Sequence, residues 1–403
     1  MHTTASTPEK SAIAVFSLAY HPFEGGAEVA VREITKRLPM RRFFAYTLRF
    51  DAGWVAEETI GNVEIIRLGK GIRAAAGTRG FYGNVFSKIR YIFQAYAVAS
   101  RRHRAEPFAA IWAVMASYGG IAAFFFKLRH PRVPMLLTLQ EGDSPQHLAF
   151  GKFGLVGLWG MLVMKKADYI QAISGYLRDF ALSRNVRAAI EVVPNGVDSA
   201  DFSAPLDPRI RREIRSPYGG DFLIVTTSRL VPKNGTDILI AAISAVLQKH
   251  AGVRCIIVGD GPDRRHLEQI VRVANLQGKI SFAGHVPYDS VPLYLKMADL
   301  FVRPSRSEGL GNSFLEAMAA GLPAIGTPVG GIPDFLKDGE TGFLAAPENA
   351  ASVAEKIIYA IEHPEEVGSI ATRGQALVRE RYSWDGVATA FDAIFNKLES
   401  VTI

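Results

Sequence analysis

The segment LFVRPSRSEGLGNSFLEAMAAGLPAIG, residues 300–326, changes from strand to helix and back to strand. Its two ends, 300–302 and 324–326, are short apolar runs of the kind found in buried strands. Between them, apolar residues at helical spacing predict a helix over 313–320, and Gly321-Leu322-Pro323 ends it. This order of elements indicates a parallel sheet covered by helices.

The same alternation of strands and helices continues along the chain in both directions. Before residue 200, the apolar runs predict strands at 13–18, 45–49, 63–67, 111–115, 135–139, 169–173 and 191–193. After residue 220, they predict strands at 223–227, 254–258 and 279–282, followed by the two strands of the segment quoted above.

A break in this pattern predicts the domain boundary. Residues 201–220 contain three prolines, a charged cluster and two consecutive glycines, which is linker composition. We therefore expect two doubly wound, Rossmann-like α/β domains over residues 1–200 and 201–384. A C-terminal helix at about 385–403 is expected to pack back onto the first. Because open α/β sheets bind ligands at the carboxyl ends of their strands, we expect a cleft between the two sheets.

Residues 307–323 combine two carboxylates with a helix start that can bind phosphate. Glu308 precedes the predicted helix, and Glu316 lies in its first turns. Both carboxylates can accept hydrogen bonds from sugar hydroxyls, so the segment predicts a site for a sugar nucleotide. The alternative interpretation is a helix-start carboxylate and a surface charge. Phosphate would meet the unpaired N–H donors of the helix start, at Gly309, Leu310, Gly311, Asn312 and Ser313.

This segment resembles family 4 of the retaining glycosyltransferases, which carries two such glutamates followed by Ala-Met-Ala-x-Gly-x-Pro. The resemblance implies a GT-B architecture of two Rossmann-like domains. It also implies transfer of a sugar from a nucleotide-sugar (NDP-sugar) donor to a hydroxyl acceptor, with retention of configuration, in the assembly of envelope polysaccharide or glycolipid. Further matching motifs follow in family order: GGAEVAVREI (25–34), ADYIQAIS (167–174), VVPNGVD (192–198), SRLVPKNGTDILIAA (228–242), IIVGDGP (256–262), SFAGHV (281–286), GGIPDFLKDGETGFL (330–344) and YSWD (382–385).

The resemblance also implies roles for individual residues. Arg229 and Lys233, which lie four residues apart after a predicted strand, would contact the donor pyrophosphate and stabilise its developing charge. Glu316 would bind the ribose hydroxyls and Glu308 the transferred sugar. The other implied donor contacts are Gly25 and Gly26 near the phosphates and the backbone of Val286 near the nucleobase.

Two positions depart from the family pattern. Lys233-Asn234-Gly235 stands where members usually have Lys-Gly, which we interpret as an insertion of one residue. Gln140 stands where many members have a histidine; it can donate a hydrogen bond to a sugar hydroxyl but cannot act as an acid or base. Glu141 and Asp143 beside it are candidate acceptor contacts, and the alternative is a carboxylate-rich turn.

The sequence predicts neither a metal nor a cofactor. It contains no Asp-x-Asp, the pair with which metal-dependent glycosyltransferases hold a divalent ion. The segment Gly259-Asp260-Gly261 has Arg264 where the dinucleotide fingerprint requires a third glycine, which argues against an NAD-dependent oxidoreductase. Two other functions stay open: a hydrolase or epimerase of nucleotide sugars, and a non-catalytic partner subunit that binds them.

The net charge of +7 is concentrated in the first half of the chain. Residues 1–200 contain 25 basic and 15 acidic side chains, whereas the remainder contains 21 and 24. This asymmetry indicates an anionic partner, and the alternative is ordinary solvated surface charge. A membrane surface, an acidic acceptor and nucleic acid all fit the charge; we expect peripheral contact with an anionic membrane and no nucleic acid. A basic amphipathic helix at 86–104 and the apolar run 153–164 could supply that contact. Alternatively, both helices pack on their own sheet.

The cysteine count and the N-terminal sequence bear on location. The single Cys255 permits no intramolecular disulfide, which fits a reducing compartment. The polar first eleven residues do not resemble a signal peptide, and no apolar run reaches the roughly 20 residues of a membrane helix. We expect a cytoplasmic protein at the inner face of the plasma membrane, acting on a sugar or lipid-linked acceptor.

Overall fold

Apolar runs form the strands of two sheets in the computed structural model of the chain, which describes residues 12–23, 25–71, 85–142 and 155–400. The chain divides into two compact units. One runs to Pro194 and resumes at Trp384, and the other spans Asn195–Ser383. Each has a sheet of mainly parallel strands connected through helices, so the prediction of two α/β domains is confirmed.

The described strands of the first unit form one sheet in the order β3-β4-β2-β1-β5-β6-β7-β8. Neighbours pair in parallel except β3 with β4, which are antiparallel. The central strands β1, β2, β5 and β6 are buried along their whole length, because both faces of a parallel sheet are covered. The strands are β1 (Ile13–Phe16), β2 (Phe43–Leu48), β3 (Glu57–Ile60), β4 (Val63–Leu68), β5 (Ala110–Val114), β6 (Met135–Leu139), β7 (Tyr169–Ala172) and β8 (Ala189–Val192).

Helices connect these strands in the first unit. They are α1 (Gly26–Lys36), α2 (Val85–Ala105), α3 (Tyr118–Arg129), α4 (Leu155–Lys166) and α5 (Gly175–Leu182). The run predicted at 153–164 thus forms α4 from Leu155 onward, and residues 153 and 154 lie outside the described residues. Throughout the described ranges, we find no helix with the length and apolar character needed to cross a membrane.

The second unit contains a parallel sheet in the order β11-β10-β9-β12-β13-β14. Its strands are β9 (Phe222–Thr227), β10 (Val253–Val258), β11 (Ile280–Gly284), β12 (Leu300–Val302), β13 (Ala324–Gly326) and β14 (Phe343–Leu344). Its helices are α6 (Ser199–Ser203), α7 (Pro208–Arg215), α8 (Thr236–Val246), α9 (Arg264–Val273), α10 (Val291–Met297), α11 (Asn312–Ala319), α12 (Ala350–Glu362) and α13 (Pro364–Arg381).

The C-terminal helix α14 (Trp384–Ser400) belongs to the first unit. Its apolar face joins the core of that unit, where Phe391 and Phe395 pack on Trp112. On the same helix, Asp392 and Glu399 bind the buried guanidinium of Arg41 at 2.7 and 2.5 Å. Apolar packing and buried charge pairing together hold α14 on the unit that begins the chain.

The segment predicted as a linker, 201–220, is instead folded into the second unit. It contains the end of α6, all of α7 and a 3-10 turn. Pro208 starts α7, where its missing N–H costs nothing, and the Asp207 side chain caps the helix. Arg211 and Arg215 of the charged cluster bind Asp299 at 2.8 and 2.7 Å. The linker prediction was wrong because proline and charge here serve a helix start and ion pairs.

Candidate functional site

The sequence-predicted donor residues of the second unit lie at the carboxyl edge of its sheet. Arg229 follows β9, Val286 follows β11, and Glu308 lies between β12 and α11. Parallel strands present their carboxyl ends on the same edge, which is where α/β sheets bind ligands. The structure therefore brings together residues that are up to 80 positions apart in the sequence.

Glu308 is held by a buried arginine that sequence reasoning did not assign. Arg303 directly follows β12, and Arg303 and Glu308 are 9% and 8% exposed. The Arg303 guanidinium donates to the Glu308 carboxylate and, at 2.6 Å, to the Ser313 hydroxyl on α11. The carboxylate is thus ion-paired and fixed relative to the start of α11. An arginine at the end of an apolar strand was the available signal for this role.

Asn234 connects this ion pair to the loop after β9. Its side chain is 4% exposed, accepts from Arg303 at 2.9 Å and donates to the carbonyl of Arg229 at 2.6 Å. The residue interpreted as an insertion therefore ties Arg229 to Arg303 and through it to Glu308. Sequence reasoning noted Asn234 as a departure but did not predict this connection.

Arg306 holds the turn that carries Lys233. Pro232–Asn234 form a 3-10 turn, and the carbonyl of Lys233 accepts from the Arg306 N–H at 2.7 Å. The Arg306 guanidinium binds Asp237 at 2.8 Å and Glu348 at 2.5 Å. Hydrogen bonding to Asp237 is the main cause that raises the pKa of Arg306, so the Arg306 guanidinium stays charged. Lys233 is half-buried, while Arg229 is exposed.

The predicted phosphate-binding residues form the tight start of α11. Gly309, Leu310 and Gly311 are buried, and Gly311 is the residue before the helix. The Asn312 side chain accepts from Asn195 at 3.3 Å. Gly330, at φ +56°, approaches so closely that a Cβ there would overlap the carbonyl oxygen of Glu308. The Gly330 loop therefore helps to fix the backbone around Glu308.

Glu316 lies on α11 and is partly buried. Burial raises its pKa to about 7, against the opposing effects of a hydrogen bond from Tyr288 and the charge of Arg303. A carboxyl group with this pKa changes its charge near neutral pH. The residue predicted to bind ribose hydroxyls can thus be either neutral or ionised at physiological pH.

In the first unit, a carboxyl group occupies the predicted glycine-rich phosphate turn. Gly25 caps α1 and Gly26 begins it. The Glu28 side chain folds back and accepts from the backbone N–H groups of Gly25 and Glu28; burial nevertheless raises its pKa to about 7. The Glu28 carboxyl group therefore uses donors that a phosphate would need. Sequence reasoning missed Glu28, although an acidic residue in the first turn of a helix was the available signal.

Gln140 and Glu141 follow β6 in the first unit. Gln140 is buried, and the Glu141 carboxylate accepts from the backbone N–H of Ala116 at 2.6 Å. Glu141 therefore helps to hold the loop after β5. This structural contact is separate from the predicted role of Glu141 in binding the acceptor. Asp143, the third predicted residue of this group, lies outside the described residues.

Comparison with known proteins gives matches over both parts of the chain. Residues 24–201 match the family model described as Glycosyltransferase Family 4, and residues 208–376 match Glycosyl transferases group 1. A GDP-mannose-dependent alpha-(1-6)-phosphatidylinositol monomannoside mannosyltransferase of Mycobacterium tuberculosis is 30% identical over 249 residues, 57% of this chain and 64% of that protein. This chain thus spans about three-fifths of the length of its mycobacterial relatives.

The chain is also similar to a second bacterial mannosyltransferase and to a solved structure. A GDP-mannose-dependent monoacylated alpha-(1-6)-phosphatidylinositol monomannoside mannosyltransferase of Corynebacterium glutamicum is 30% identical over 282 residues, 65% of this chain and 72% of that protein. The solved structure of sucrose-phosphate synthase from Thermosynechococcus elongatus matches with a TM-score of 0.83 at 19% identity. That match covers 97% of this chain and all of the other, and it shows a shared fold.

Proposed function

Since the chain belongs to glycosyltransferase family 4, whose architecture is GT-B, we propose that it transfers a sugar from a nucleotide-sugar donor to an acceptor hydroxyl. The observation that carries this proposal is the assembly at one sheet edge of the second unit, where Asn234 and Arg303 connect the loop of Arg229 to Glu308. The relatives named as phosphatidylinositol monomannoside mannosyltransferases support a glycolipid or envelope-polysaccharide acceptor.

In this proposal, the second unit binds the donor. Arg229, Lys233 and the N-terminus of α11 neutralise the diphosphate, because cations and unpaired N–H groups are the donors that phosphate oxygens prefer. Glu308, fixed by Arg303, accepts a hydrogen bond from the transferred sugar, and Glu316 accepts from the ribose. The backbone at Val286 meets the nucleobase.

The proposed reaction is the front-face displacement that the family resemblance implies. The bond between the anomeric carbon and the donor phosphate oxygen breaks, and the acceptor oxygen bonds to that carbon on the same face, so configuration is retained. The departing phosphate takes the proton of the acceptor hydroxyl. The chain itself contributes orientation and electrostatic stabilisation. Loops of the first unit, including Gln140 and Glu141, select the acceptor.

A thermal-shift screen against UDP-, GDP- and ADP-sugars tests the proposal. A donor at 100 times its Kd stabilises the fold by about 2.7 kcal/mol, so one base should stand out. Transfer is then measured with and without candidate acceptors. Turnover without acceptor would indicate a hydrolase or epimerase, and binding without turnover would indicate a partner subunit. A protein that no nucleotide sugar stabilises contradicts the proposal.

Donor affinity should fall as the pH drops through about 7. Burial raises the pKa of Glu316 to about 7, and the ionised form is the better acceptor for ribose hydroxyls. Below this pKa, binding must first remove a proton, so affinity falls by up to about tenfold per pH unit. We expect Glu316→Gln to abolish this dependence in calorimetric titrations. Glu28→Gln, which removes the other carboxyl group of similar pKa, should retain it; the reverse pattern would assign the dependence to the first unit.

Transfer should continue in excess chelator. Arg229, Lys233 and the α11 terminus supply the positive charge that a divalent ion supplies elsewhere. Within the described ranges, no group of three or more His, Cys, Asp or Glu side chains is placed to hold a metal ion. The measurement is the initial transfer rate with chelator and then with added magnesium or manganese. Complete loss of activity that either metal restores would disprove metal independence.

The first unit should bind anionic membranes. On α2, Phe86 and Phe93 are 74% and 56% exposed and lie on one face with Ile89, beside the exposed Arg90. Exposed apolar residues flanked by cations are typical of a helix that lies in a membrane interface. We expect sedimentation with anionic vesicles at low salt and release at high salt, since each basic residue contributes on the order of 1 kcal/mol.

Two variants separate this contact from general charge attraction. Phe86→Ser combined with Phe93→Ser should weaken vesicle binding at least about tenfold, because both lose apolar burial. Val273→Ser, a similarly exposed apolar residue of the second unit, is the matched control and should bind normally. A wild-type protein that is absent from the anionic pellet at low salt rules out the membrane contact.

A further inference from the structure

A cavity of about 110 Å³ in the first unit is lined by three basic side chains. Arg49 follows β2, Lys70 follows β4, and Arg90 projects from α2, with Ser87 and Gln94 of the same helix completing the polar wall. The volume accommodates several water molecules or one small polar group. The strands β2 and β4 are neighbours, so the cavity lies at the carboxyl edge of this sheet, where α/β folds bind ligands.

The charged side chains that line this cavity are all basic, as in a site that binds an anion. Among the described residues, no acidic side chain lines the cavity, and Arg49, Lys70 and Arg90 form no ion pair. Like charges that line one small space repel each other, and an anion between them removes that repulsion. By contrast, Arg67 near the end of β4 and Arg303 after β12 are each paired with a carboxylate.

Contacts with neighbouring residues fix the position of the cavity wall. Arg49 donates to the carbonyl of Ala52 at 2.8 Å, which fixes its guanidinium, yet its Nε is buried and has no hydrogen-bond partner among the described residues. The Oε1 atom of Gln94 is likewise buried and has no partner among them. Gly71, at φ +70°, packs so tightly on Ala52 that a Cβ there would overlap the backbone. The loop bearing Lys70 is therefore anchored beside Arg49.

We infer that this cavity binds a phosphate group carried by the acceptor. The inference rests on the proposed function and specifies its acceptor as a phosphate ester. Arginine forks and a lysine converging from three elements suit the several oxygens of a phosphate better than the two oxygens of a carboxylate. Phe86, Ile89 and Phe93 are the residues preceding Ser87, Arg90 and Gln94 on α2, so the cavity adjoins the apolar face that is exposed to solvent. This position suits the phosphate of a lipid headgroup.

The test measures phosphate binding without requiring transfer. Inorganic phosphate is titrated calorimetrically into the full chain at constant ionic strength, and vesicles of phosphatidylcholine with or without phosphatidic acid are tested by sedimentation. Arg49→Gln and Arg90→Gln should each weaken phosphate binding at least about tenfold, because each removes charged hydrogen bonds. Arg104→Gln, which changes an exposed arginine on the same helix, should bind inorganic phosphate like the wild type. Lys70→Gln, at an exposed position, carries the test if Arg49→Gln does not fold.

The outcomes separate the source of the phosphate and the two proposals. Loss of phosphatidic acid binding in Arg90→Gln but not in Arg104→Gln identifies a lipid headgroup, and binding of inorganic phosphate alone identifies a soluble ester. Both results support a phosphate site in the cavity. Equal affinity in Arg49→Gln, Arg90→Gln and Arg104→Gln, or no phosphate binding by the wild type, overturns it. Nucleotide-sugar stabilisation in the same samples reports on the proposed function separately, because the proposed donor site consists mainly of residues of the second unit.

Discussion

Arg229→Ala is expected to lower kcat/KM for sugar transfer by roughly 10²–10³-fold, which corresponds to about 2.7–4 kcal/mol of transition-state stabilisation. Arg229 lies after β9 at the carboxyl edge of the sheet, and its backbone is held by Asn234. Negative charge develops on the diphosphate as the bond between the anomeric carbon and the donor phosphate oxygen breaks. A cation already in place stabilises this charge without reorganisation. Steady-state kinetics with the donor identified in the screen measures the loss. Lys233→Ala should act in the same direction.

A matched control distinguishes this role from a general effect of charge. Arg265→Ala removes an exposed arginine from α9 in the same unit and should leave the kinetics unchanged. Because Arg229 is exposed, its replacement should also leave the melting temperature close to that of the wild type. Near-normal turnover in both Arg229→Ala and Lys233→Ala, with the fold intact, would remove the basis for the proposed donor site.

Arg303→Ala is expected to destabilise the second unit by about 3–5 kcal/mol and to abolish most transfer. Both partners of the Arg303–Glu308 ion pair are nearly buried, with 10% of each side chain exposed. Removing the guanidinium leaves a buried carboxylate without its counter-charge and also removes hydrogen bonds to Ser313 and Asn234. Urea unfolding followed by fluorescence measures the loss of stability.

A double-mutant cycle tests the cause of this effect. The combination of Arg303→Ala with Glu308→Ala should recover part of the stability, since the uncompensated charge is gone, but none of the activity. The exposed pair Arg381–Glu380 is the matched control, and Arg381→Ala should cost less than about 1 kcal/mol. Additive effects of the two substitutions would show that Arg303 and Glu308 act independently and would contradict the network described above.

Periodic burial made most of the fold predictable from the sequence. The strands β6, β12 and β13 begin and end at the predicted residues, because uninterrupted apolar runs bounded by turns occur in buried parallel strands. The strand β3 was missed because Glu57–Ile60 is an exposed edge segment that contains two glutamates. The linker prediction failed because the composition of 201–220 does not show that its arginines would find Asp299, which lies more than 80 residues further on.

The sequence by itself determined the α/β class, the division into two domains and the motif residues of the candidate donor site, since these are visible as alternating apolar runs and short motifs. Tertiary structure alone decided the partners of those residues. Asn234 meets Arg303 because β9 and β12 are neighbours in the sheet, and Arg49 lies beside Lys70 because β2 pairs with β4. Strand order is fixed by the packing of the whole unit, so side chains distant in sequence share one edge. The ion pair at the edge of the second sheet and the cluster of cations at the edge of the first arise only once each sheet has formed.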